Sequence, residues 1–442
     1  MVMLRISELP KYDAYKDSGE DWIDQIPSHW EIRKLKNIFY EKKHRRNMNL
    51  NSGAISFGKV VVKGDEKIQE STKASYQEVL AGDFLINPLN LNYDLISLRI
   101  ALSEIDVVVS AGYIVIKEHS PIDKGYFKYL LHRYDVAYMK LLGSGVRQTI
   151  SFNHISNSLL LYPTLEEQAL IAKFLDKKTT QIDEAIAIKE QQIALLKERK
   201  QIIIQQAVTQ GLDPTVPMKD SGVDWIGEIP VHWDFSKMKY YIDILAGYAF
   251  KSESYSLNDS DVALLRGINV SPSYIRWGET VFWPKFKLKG FERYLLQEGD
   301  IVIAMDRPWI SGGIRVAVVA QDDLPSLLLQ RVARIRGEDE LLTDYAKVLL
   351  STNLFLYYFE PMLTGISVPH ISPEQIENFT IPVPPIDEQR EILRYIDDES
   401  KNIQQAISIQ RKQIKKLKEY KTTLINSAVT GKIKITPDMA ED

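Results

Sequence analysis

The sequence contains no cysteine, which excludes disulfide bonds, thiolate metal ligands and cysteine nucleophiles. Its seven histidines never fall at the i, i+4 spacing of a helical metal pair, so a structural zinc site is not expected. No window approaches the roughly 20 apolar residues that a membrane helix needs, and the first residues hold no apolar stretch typical of a signal peptide. We therefore expect a cytoplasmic protein with no membrane contact.

Motifs that hold nucleotides are also missing. No GxxxxGK[ST] loop occurs, and no paired glycines follow a predicted strand. The segment Asn87-Pro88-Leu89-Asn90 lacks the second proline and the aromatic residue of an amino-methyltransferase tetrapeptide. Glu198 and Lys200 have the Glu-x-Lys spacing of many nucleases, but the charge pattern of a predicted helix explains them better. We expect no catalytic residue, no metal site and no cofactor in this chain.

The charge is modest for a protein of 442 residues. A formal net charge of −4 and a pI near 6.1 count against a protein that coats DNA without sequence preference, because such binding depends on Lys and Arg at phosphates. Any contact with nucleic acid must therefore use local basic patches.

An internal duplication organises the chain. Residues 16–36 and 219–239 are identical at 13 of 21 positions, and a second block beginning at Glu166 returns at Asp387 with a fixed offset of 221. Between the blocks, the two inserts share little beyond Gly82-Asp83 with Gly299-Asp300, and His154-Ile155-Ser156 with His370-Ile371-Ser372. This pattern indicates a frame that does the same job twice while each insert recognises a different piece of a ligand.

The first repeated block carries tryptophans beside prolines. The residues before Pro27 and Pro230 are driven toward extended backbone, so the tryptophans lie on irregular segments. We expect Trp22, Trp30, Trp225 and Trp233 to anchor each insert to the helix that follows it rather than to stack on bases.

The second repeated block predicts two long helices, each of about 40 residues and therefore about 60 Å long. Their apolar seams are Leu175, Ile182, Ile186, Ile193, Leu196, Ile203 and Ala207 in the first, and Ile396, Ile403, Ile407, Ile414, Leu417, Leu424 and Ala428 in the second. The matched seam positions Lys189 with Gln410 and Lys200 with Lys421 are polar, which fits either a register signal or side chains that extend to solvent.

These patterns predict an α+β protein. Two recognition domains of mixed α/β structure are separated by an antiparallel coiled coil of the two long helices, with a pseudo-two-fold internal repeat. The runs DVVVSAGYIVIKE, GDIVIAMDRP and SGGIRVAVVAQ are predicted strands, and GYFKYLLHRYDVAYMKLL a helix. The expected order is an N-terminal tail (1–15), domain 1 (16–162), helix 1 with a linker (163–212), domain 2 (213–385), helix 2 (386–431) and a C-terminal tail (432–442).

Basic residues are concentrated at the start of the first insert. The segment 33–46 carries seven Lys or Arg against one Glu, so Lys42, Lys43, Arg45 and Arg46 are candidates for DNA phosphate contacts, or else a solvated basic face. In the second insert Lys285, Lys287 and Lys289 alternate as on a strand edge, where they would protect the edge or follow a DNA backbone.

Base reading requires Arg, Asn or Gln in loops, since these side chains form paired hydrogen bonds to base edges. The candidates in the first insert are Asn87, Asn90, Asn92, Arg99, Arg147, Gln148 and Thr149. Those in the second are Arg266, Asn269, Arg307, Ser311, Arg315 and Ser367.

Taken together, the chain resembles the specificity subunits of type I restriction-modification systems. The resemblance lies in KDSGVDWIGEIPVHW, LLLQRVARI, PVPPIDEQREI and SAVTGKI, and the repeat covers nearly the whole chain. The first half departs from the pattern with TLEEQ and AVTQGLDP, which leaves open whether its helix starts one turn later.

The resemblance implies a non-catalytic subunit that reads a two-part site on double-stranded DNA, one half-site per domain. It implies two methyltransferase (M) subunits and two restriction (R) subunits as partners, with S-adenosylmethionine, ATP and magnesium used by those partners. The helical rod would then fix the unread gap between half-sites. A coiled-coil adaptor with two protein-binding heads is the alternative, and a self-contained methyltransferase or nuclease is a further one; salt-sensitive DNA affinity would distinguish a DNA reader from an adaptor.

Overall fold

The computed structural model describes residues 5–89, 98–139, 150–363 and 369–441. The chain divides into two compact units. Unit 1 comprises Met1–Lys189 and Arg411–Asp442, and unit 2 comprises Glu190–Gln410. Each unit therefore contains one recognition domain, the start of the helix that follows it and the end of the other long helix.

The elements of the first half, up to its long helix, are β1 (Tyr15–Asp17), β2 (Gln25–Pro27), β3 (Glu31–Lys34), α1 (Leu35–Ile38), β4 (Phe39–Glu41), β5 (Gly53–Ser56), β6 (Lys59–Val62), α2 (Glu70–Lys73), β7 (Gln77–Val79), β8 (Phe84–Ile86), β9 (Ile100–Leu102), β10 (Val107–Val109), β11 (Ile114–Glu118), α3 (Lys124–Ala137), α4 (Phe152–Ile155), β12 (Leu159–Tyr162) and α5 (Leu165–Gln210).

The elements of the second half are β13 (Met218–Asp220), β14 (Glu228–Pro230), β15 (Asp234–Lys237), β16 (Ile242–Ala246), β17 (Val262–Leu265), β18 (Val270–Ser271), β19 (Tyr274–Ile275), β20 (Phe282–Trp283), β21 (Ile301–Ala304), β22 (Trp309–Ile310), β23 (Gly313–Ile314), β24 (Val316–Val318), β25 (Ser326–Leu328), β26 (Val332–Gly337), α6 (Thr343–Leu350), α7 (Asn353–Leu363), α8 (Pro373–Glu377), β27 (Thr380–Val383), α9 (Ile386–Val429) and α10 (Pro437–Glu441).

A four-stranded antiparallel sheet lies in each recognition domain. Its strand order is β4-β11-β8-β9 in unit 1 and β16-β26-β21-β24 in unit 2. In both sheets the first strand along the chain, β4 or β16, lies at one edge beside the last strand, β11 or β26. The two remaining strands then follow in chain order, so the topology is the same in both units. The mixed α/β content and the strands predicted in the three apolar runs are therefore confirmed, as is the predicted helix, which appears as α3.

Aromatic side chains form much of each core. In unit 1 the ring of Phe39 packs edge-on against Phe84 and Phe127, at centroid distances of 5.4 and 5.3 Å. In unit 2 Phe355 packs in the same way against Phe359 and Phe379. Burying such rings supplies a large part of the apolar area that stabilises each unit.

The two long helices begin at equivalent positions. Helix α5 has 46 residues from Leu165 and α9 has 44 from Ile386, which differ by the repeat offset. The TLEEQ sequence therefore does not delay the first helix by a turn. The predicted seam residues of α9 are all buried, whereas Ile193, Leu196 and Ile203 in the middle of α5 are half-buried.

Polar contacts join the two helices within unit 1. Lys421 Nζ donates to both carboxylate oxygens of Asp183, at 2.7 and 2.6 Å, and Lys189 Nζ donates to Gln413. As α5 advances from 183 to 189, its partner on α9 retreats from 421 to 413. These segments of unit 1 therefore run in opposite directions.

Two segments differ from what their sequence predicts. The alternation of Lys285, Lys287 and Lys289 predicted a strand edge, which is wrong: Lys285–Lys287 form a 3-10 helix after β20, since Pro284 ends the strand. The segment expected to be a C-terminal tail packs into unit 1, where Ile433 and Ile435 are buried and Lys434 N–H donates to Pro10 O at 2.7 Å.

Candidate nucleic-acid interface

The repeated tryptophans fix each domain to the start of its helix. Trp30 Nε1 donates to Glu167 at 3.1 Å, and His29 Nε2 lies 2.9 Å from the same carboxylate. Burial raises the pKa of Glu167, but the hydrogen bonds from Trp30, His29 and Thr164 lower it by more, so this pKa lies below its usual value. The carboxylate is therefore ionised at neutral pH and holds the indole in place.

Unit 2 repeats this contact. Trp233 Nε1 donates to Glu388 at 2.8 Å, and His232 Nε2 lies 2.7 Å from that carboxylate. All four tryptophans of the repeated block are buried or half-buried, and Trp225 stacks on Phe379 with its ring centroid at 5.9 Å. The structure thus shows the anchoring contact with the long helix for Trp30 and Trp233, whereas Trp22 and Trp225 pack against aromatic rings of their own domains.

A buried glutamine next to each anchoring glutamate completes the junction. Gln168 Nε2 donates to Pro163 O at 2.9 Å, and its Oε1 accepts from Asp123 N–H at the start of α3. Gln389 does the same, donating to Pro384 O and accepting from Leu342 N–H. Both glutamines are fully buried, so these bonds set the position of the helix relative to its own domain.

A Gly-Asp turn shared by the two units lies at the end of each sheet where β8 or β21 begins. Gly82 and Gly299 have φ of 92° and 87°, which glycine adopts without strain. Asp83 accepts from Leu80 N–H at 2.8 Å and from Lys42 Nζ at 2.5 Å; Asp300 accepts from Gln297 N–H and from Arg336. Lys42, a candidate for phosphate contact, is thus engaged in a half-buried ion pair within the protein.

The other end of the unit 2 sheet carries the diverged loops. Strand β21 ends opposite Val332, the first residue of β26, and β24 begins at Val316 opposite Ile303. Strand β17 runs parallel to β25, which leads into β26. The chain segments after β17 and β21 and before β24 and β26 therefore meet, and we call this region the loop end of unit 2.

Arginines concentrate at this loop end. They are Arg266, Arg276, Arg307, Arg315 and Arg331, and sequence reasoning had singled out only three of them. Burial, together with the nearby positive charges of Arg276 and Arg307, lowers the pKa of Arg315. A group of guanidinium ions held this close attracts phosphates and base acceptors.

Arg315 lies at the centre of the group and connects loops. Its Nε donates to Val270 O at 2.9 Å, its Nη2 to Gly267 O and its Nη1 to Asp306 O at 3.2 Å. Most of its donors are therefore used by main-chain carbonyls, which join the loop after β17 to the loop after β21. In this structure Arg315 positions the loop end.

Asn269 has a similar role. It is buried, its Oδ1 accepts from Arg266 N–H at 3.0 Å, and its Nδ2 donates to Arg276 O at 2.8 Å. The Arg266 side chain in turn donates to Glu279 O. Asn269 therefore fixes the backbone of Arg276, which is exposed.

Arg307 projects from a strained backbone. Its φ is 45°, a region that non-glycine residues rarely adopt, and its N–H donates to Pro369 O at 2.8 Å. The adjacent Asp306 pairs with Arg331 at 2.5 Å and with His370 at 2.6 Å. Burial raises the pKa of Asp306, but these two partners lower it by more, so the loop is held by an ionised carboxylate. Ser311, at the tip between β22 and β23, is also exposed.

The corresponding loop end of unit 1 has different side chains. Strand β8 ends at Ile86 opposite Ile114 and Ile100, the first residues of β11 and β9, so Asn87 and Arg99 lie here. Asn87 Oδ1 accepts from Leu89 N–H at 3.1 Å. Arg99 is buried and its Nε donates to Asp135 at 2.9 Å, which gives it a structural contact.

Exposed basic residues lie beside this end. Strand β4 is antiparallel to β11, so the chain leaves it toward the loop end, where Lys43, Arg45 and Arg46 are exposed. Their side chains are available for phosphate contact. Asn90, Asn92, Arg147, Gln148, Thr149 and Ser367 lie outside the described residues.

Two negative findings apply to the described ranges. Within them, His, Asp and Glu form no group of three that could hold a metal ion. No helix in the same ranges has the length and apolar character required to cross a bilayer.

Comparisons with known proteins agree on one family. The model of the type I restriction modification DNA specificity domain matches residues 27–198 and 230–419. The MjaVIII specificity subunit of a type I restriction enzyme from Methanocaldococcus jannaschii is 31% identical over 274 residues, 62% of this chain and 61% of that protein. The EcoAI specificity subunit of Escherichia coli is 31% identical over 204 residues, 46% of this chain and 34% of that protein. The alignments thus span less than two thirds of either relative.

The fold has a close counterpart among solved structures. A chain from work on complex assembly and conformational transition of the type I R-M system superposes with a TM-score of 0.66 at 17% identity, covering 91% of this chain and 98% of that one. At this identity the likeness concerns the fold.

Proposed function

Since the chain belongs to the family of type I restriction modification DNA specificity domains, we propose that it reads a two-part sequence in double-stranded DNA, one half-site per recognition domain. The supporting observation is that the two units keep the same internal contacts from Trp, Glu and Gln yet present different side chains at their loop ends. A repeated frame with diverged loops is what two different half-sites require.

In unit 2 the base-reading side chains of this proposal are Arg307 and Arg276. Both are exposed at the loop end, and both are held by backbone contacts, to Pro369 O and from Asn269 respectively. A guanidinium carried on a backbone fixed in this way can form two hydrogen bonds to the O6 and N7 atoms of a guanine. Arg315 and Asn269 position them, and Ser311 supplies a further hydroxyl at the same end.

In unit 1 the phosphate-binding side chains are Lys43, Arg45 and Arg46, while Asn87, whose Oδ1 accepts from Leu89 N–H, donates to a base through its Nδ2. Lys42 and Arg99 position the sheet and α3 through their ion pairs with Asp83 and Asp135. Asn90, Asn92, Arg147, Gln148, Thr149 and Ser367 lie outside the described residues and remain proposed contacts, because their side-chain types can form hydrogen bonds to base edges.

The two long helices form an antiparallel coiled coil that determines the number of unread base pairs between the half-sites. The opposite run of α5 and α9 in unit 1 and the buried seam of α9 support this arrangement. Two methyltransferase subunits and two restriction subunits bind this frame. Catalysis, with S-adenosylmethionine, ATP and magnesium, belongs to those subunits, and the fold repeat makes the chain a pseudo-symmetric support for paired partners.

Comparing the methylome of the host with and without this chain tests the proposal. We expect one two-part methylated motif to disappear when the chain is deleted. Replacing residues 40–160 by the insert of another such protein should change one half of the motif and leave the other half and the gap as they were. The proposal would be refuted if deleting the chain removed no motif or removed a continuous motif. It would also be refuted if replacing residues 40–160 changed neither half of the motif.

A further inference from the structure

An exposed phenylalanine stands at the tip of a hairpin in unit 1. Strands β5 and β6 pair with Ser56 opposite Lys59, which leaves Phe57 and Gly58 as a two-residue turn. Both have positive φ, 47° and 73°, as a type I′ turn demands. Asparagine is the residue usually found at the first of these positions, and an aromatic residue is strained there.

Folding gains nothing from this side chain. Phe57 is 93% exposed, the highest value for a large hydrophobic residue in the described part of the chain. It is therefore unfavourable both in its backbone conformation and in its contact with water, and the fold itself offers no compensation. A ligand that covers the ring would offset the cost of the strained backbone.

The turn is rigidly supported from below. A Cβ placed on Gly58 would lie 2.7 Å from Leu98 Cδ1 and 3.5 Å from His132 Cε1, so the glycine packs directly on the start of β9 and on α3. His132 is half-buried, and the burial of its ring lowers its pKa to about 4, so it is neutral at physiological pH. Because Gly58 packs against Leu98 and His132, the turn is held in place and Phe57 is directed into solvent.

The hairpin tip lies at the loop end of unit 1. Gly58 contacts Leu98, which precedes Arg99 and the first residue of β9, opposite the end of β8. Exposed lysines and arginines approach the same end, namely Lys59 on the hairpin and Lys43, Arg45 and Arg46 after β4. An exposed apolar ring and exposed cations at the same end of one domain match a ligand with a charged backbone and flat apolar faces.

We propose that Phe57 is a wedge that enters the base stack of the first half-site, between adjacent base pairs of double-stranded DNA. This rests on the proposed function. Phenylalanine side chains that insert between base steps unstack and kink the duplex, and pyrimidine–purine steps yield most easily. The wedge therefore contributes to specificity at a base step that no hydrogen bond reads.

The experiment uses the full chain with the subunits that co-purify with it. The probe is a duplex carrying the motif defined by the methylome comparison, with 2-aminopurine placed in turn at each position of the first half-site. We expect binding to raise the fluorescence at one step, as unstacking does. Phe57→Asn should abolish that rise and weaken binding about tenfold or more, while Phe57→Leu, which keeps an apolar wedge, should retain most of the rise.

Asn at position 57 suits the turn, so this variant should have a higher Tm than the wild type, which separates lost binding from misfolding. Phe286→Ala is the matched control, because Phe286 is also an exposed aromatic, 83% exposed, but lies in unit 2 beside lysines after β20. It should leave the first half-site signal unchanged.

The outcomes are distinguishable. If no two-part motif depends on the chain, the proposed function has failed. If the wild type binds the motif and Phe57→Asn shows the same fluorescence rise, the wedge is refuted and the reading function stands.

Discussion

At the scale of single residues, the positions of a few carboxylates decide how the domains are held. Glu167 accepts from the buried indole of Trp30, and Glu388 accepts from that of Trp233 in unit 2. Removing one partner of a buried hydrogen bond leaves the other without water or protein, which costs more than the bond itself contributes. These glutamates are therefore more important than their half-exposed surfaces suggest.

Glu167→Ala should lower the free energy of unfolding by about 1–3 kcal/mol, since it removes the carboxylate that accepts from the buried Trp30 Nε1. Because the folded pKa of Glu167 is lowered, its ionised form stabilises the fold above the unfolded pKa of about 4.3, and this contribution is lost as pH falls through the folded pKa. Thermal unfolding of Glu167→Gln against wild type between neutral and acidic pH measures it. Glu166→Ala, exposed on the same turn, should have little effect, and an equal loss in both variants would contradict the role given to Glu167.

Arg307→Ala should weaken binding to the motif by about 1–3 kcal/mol and relax specificity at one position of the second half-site, because the lost contact is to a base edge. Competition binding with single-base variants measures this. Arg293→Ala is the control, since Arg293 is exposed in the same domain but precedes β21, away from the loop end. Uniform weakening across all sequences would instead indicate that Arg307 contacts phosphate.

At the scale of elements, the long helices are stabilised by burial of the apolar residues along one face of each helix. Leu424 on α9 is buried, whereas Ile409 on the same helix is about half exposed. A helix of this length cannot bury its stripe alone, and within unit 1 the opposing segment of α5 contributes Ile182 and Ile186, both buried.

Leu424→Ala should cost about 2–5 kcal/mol of unfolding free energy, because it removes apolar contacts and leaves a cavity. Ile409→Ala should cost far less. Denaturant unfolding followed by circular dichroism gives both values. A similar loss of unfolding free energy in the two variants would show that the face of α9 that carries Leu424 is not the buried face of the helix pair.

The loops that meet at the loop end of unit 2 form a second kind of element, since Arg315 joins them through carbonyl groups. Its replacement by Lys would keep the charge but lose the planar set of donors. In this structure the hydrogen bonds of Arg315 order the loops, and a contact of Arg315 with DNA stays a prediction.

At the scale of the whole molecule, unit 1 is assembled from both ends of the chain. Tyr126 Oη donates to Val429 O at 3.1 Å, and Tyr345 Oη donates to Val208 O at 3.4 Å in unit 2. Gly431, with φ of 70°, packs on Pro27 and Trp30 much as Gly211 packs on Pro230 and Trp233. The chain end after α9 thus does for the first domain what the linker after α5 does for the second.

Deleting residues 432–441 should loosen unit 1 and leave unit 2 intact, because Ile433, Ile435 and Ala440 are buried within unit 1. Hydrogen exchange should rise in peptides around Pro10 and Trp30. Peptides from β21 and β26 are the internal control. A rise spread equally over both units would refute this assignment.

A change in helix length tests the proposed spacing at the same scale. Inserting four residues, about one helical turn, after Ile193 and after Ile414 should change the number of unread base pairs in the methylated motif while both half-sites stay the same. Altered half-sites with an unchanged gap would contradict it.

The sequence alone determined the repeat, the two long helices, the strand-forming runs and the anchoring tryptophans. These follow from local periodicity, turn residues and apolar spacing, which act over a few residues and therefore appear in the sequence directly. The same reasoning misjudged the lysines from 285 to 289, because alternation in a short charged run also occurs in a 3-10 helix.

Only the tertiary structure decided which polar side chains are used internally. Lys42, Arg99, Asn269 and Arg315 all have the side chains of DNA contacts, yet their partners lie 41, 36, 7 and 45 residues away in the chain. Nothing local predicts such a partner. The same holds for Phe57, which becomes conspicuous only when the packed turn beneath it and the solvent around it are known.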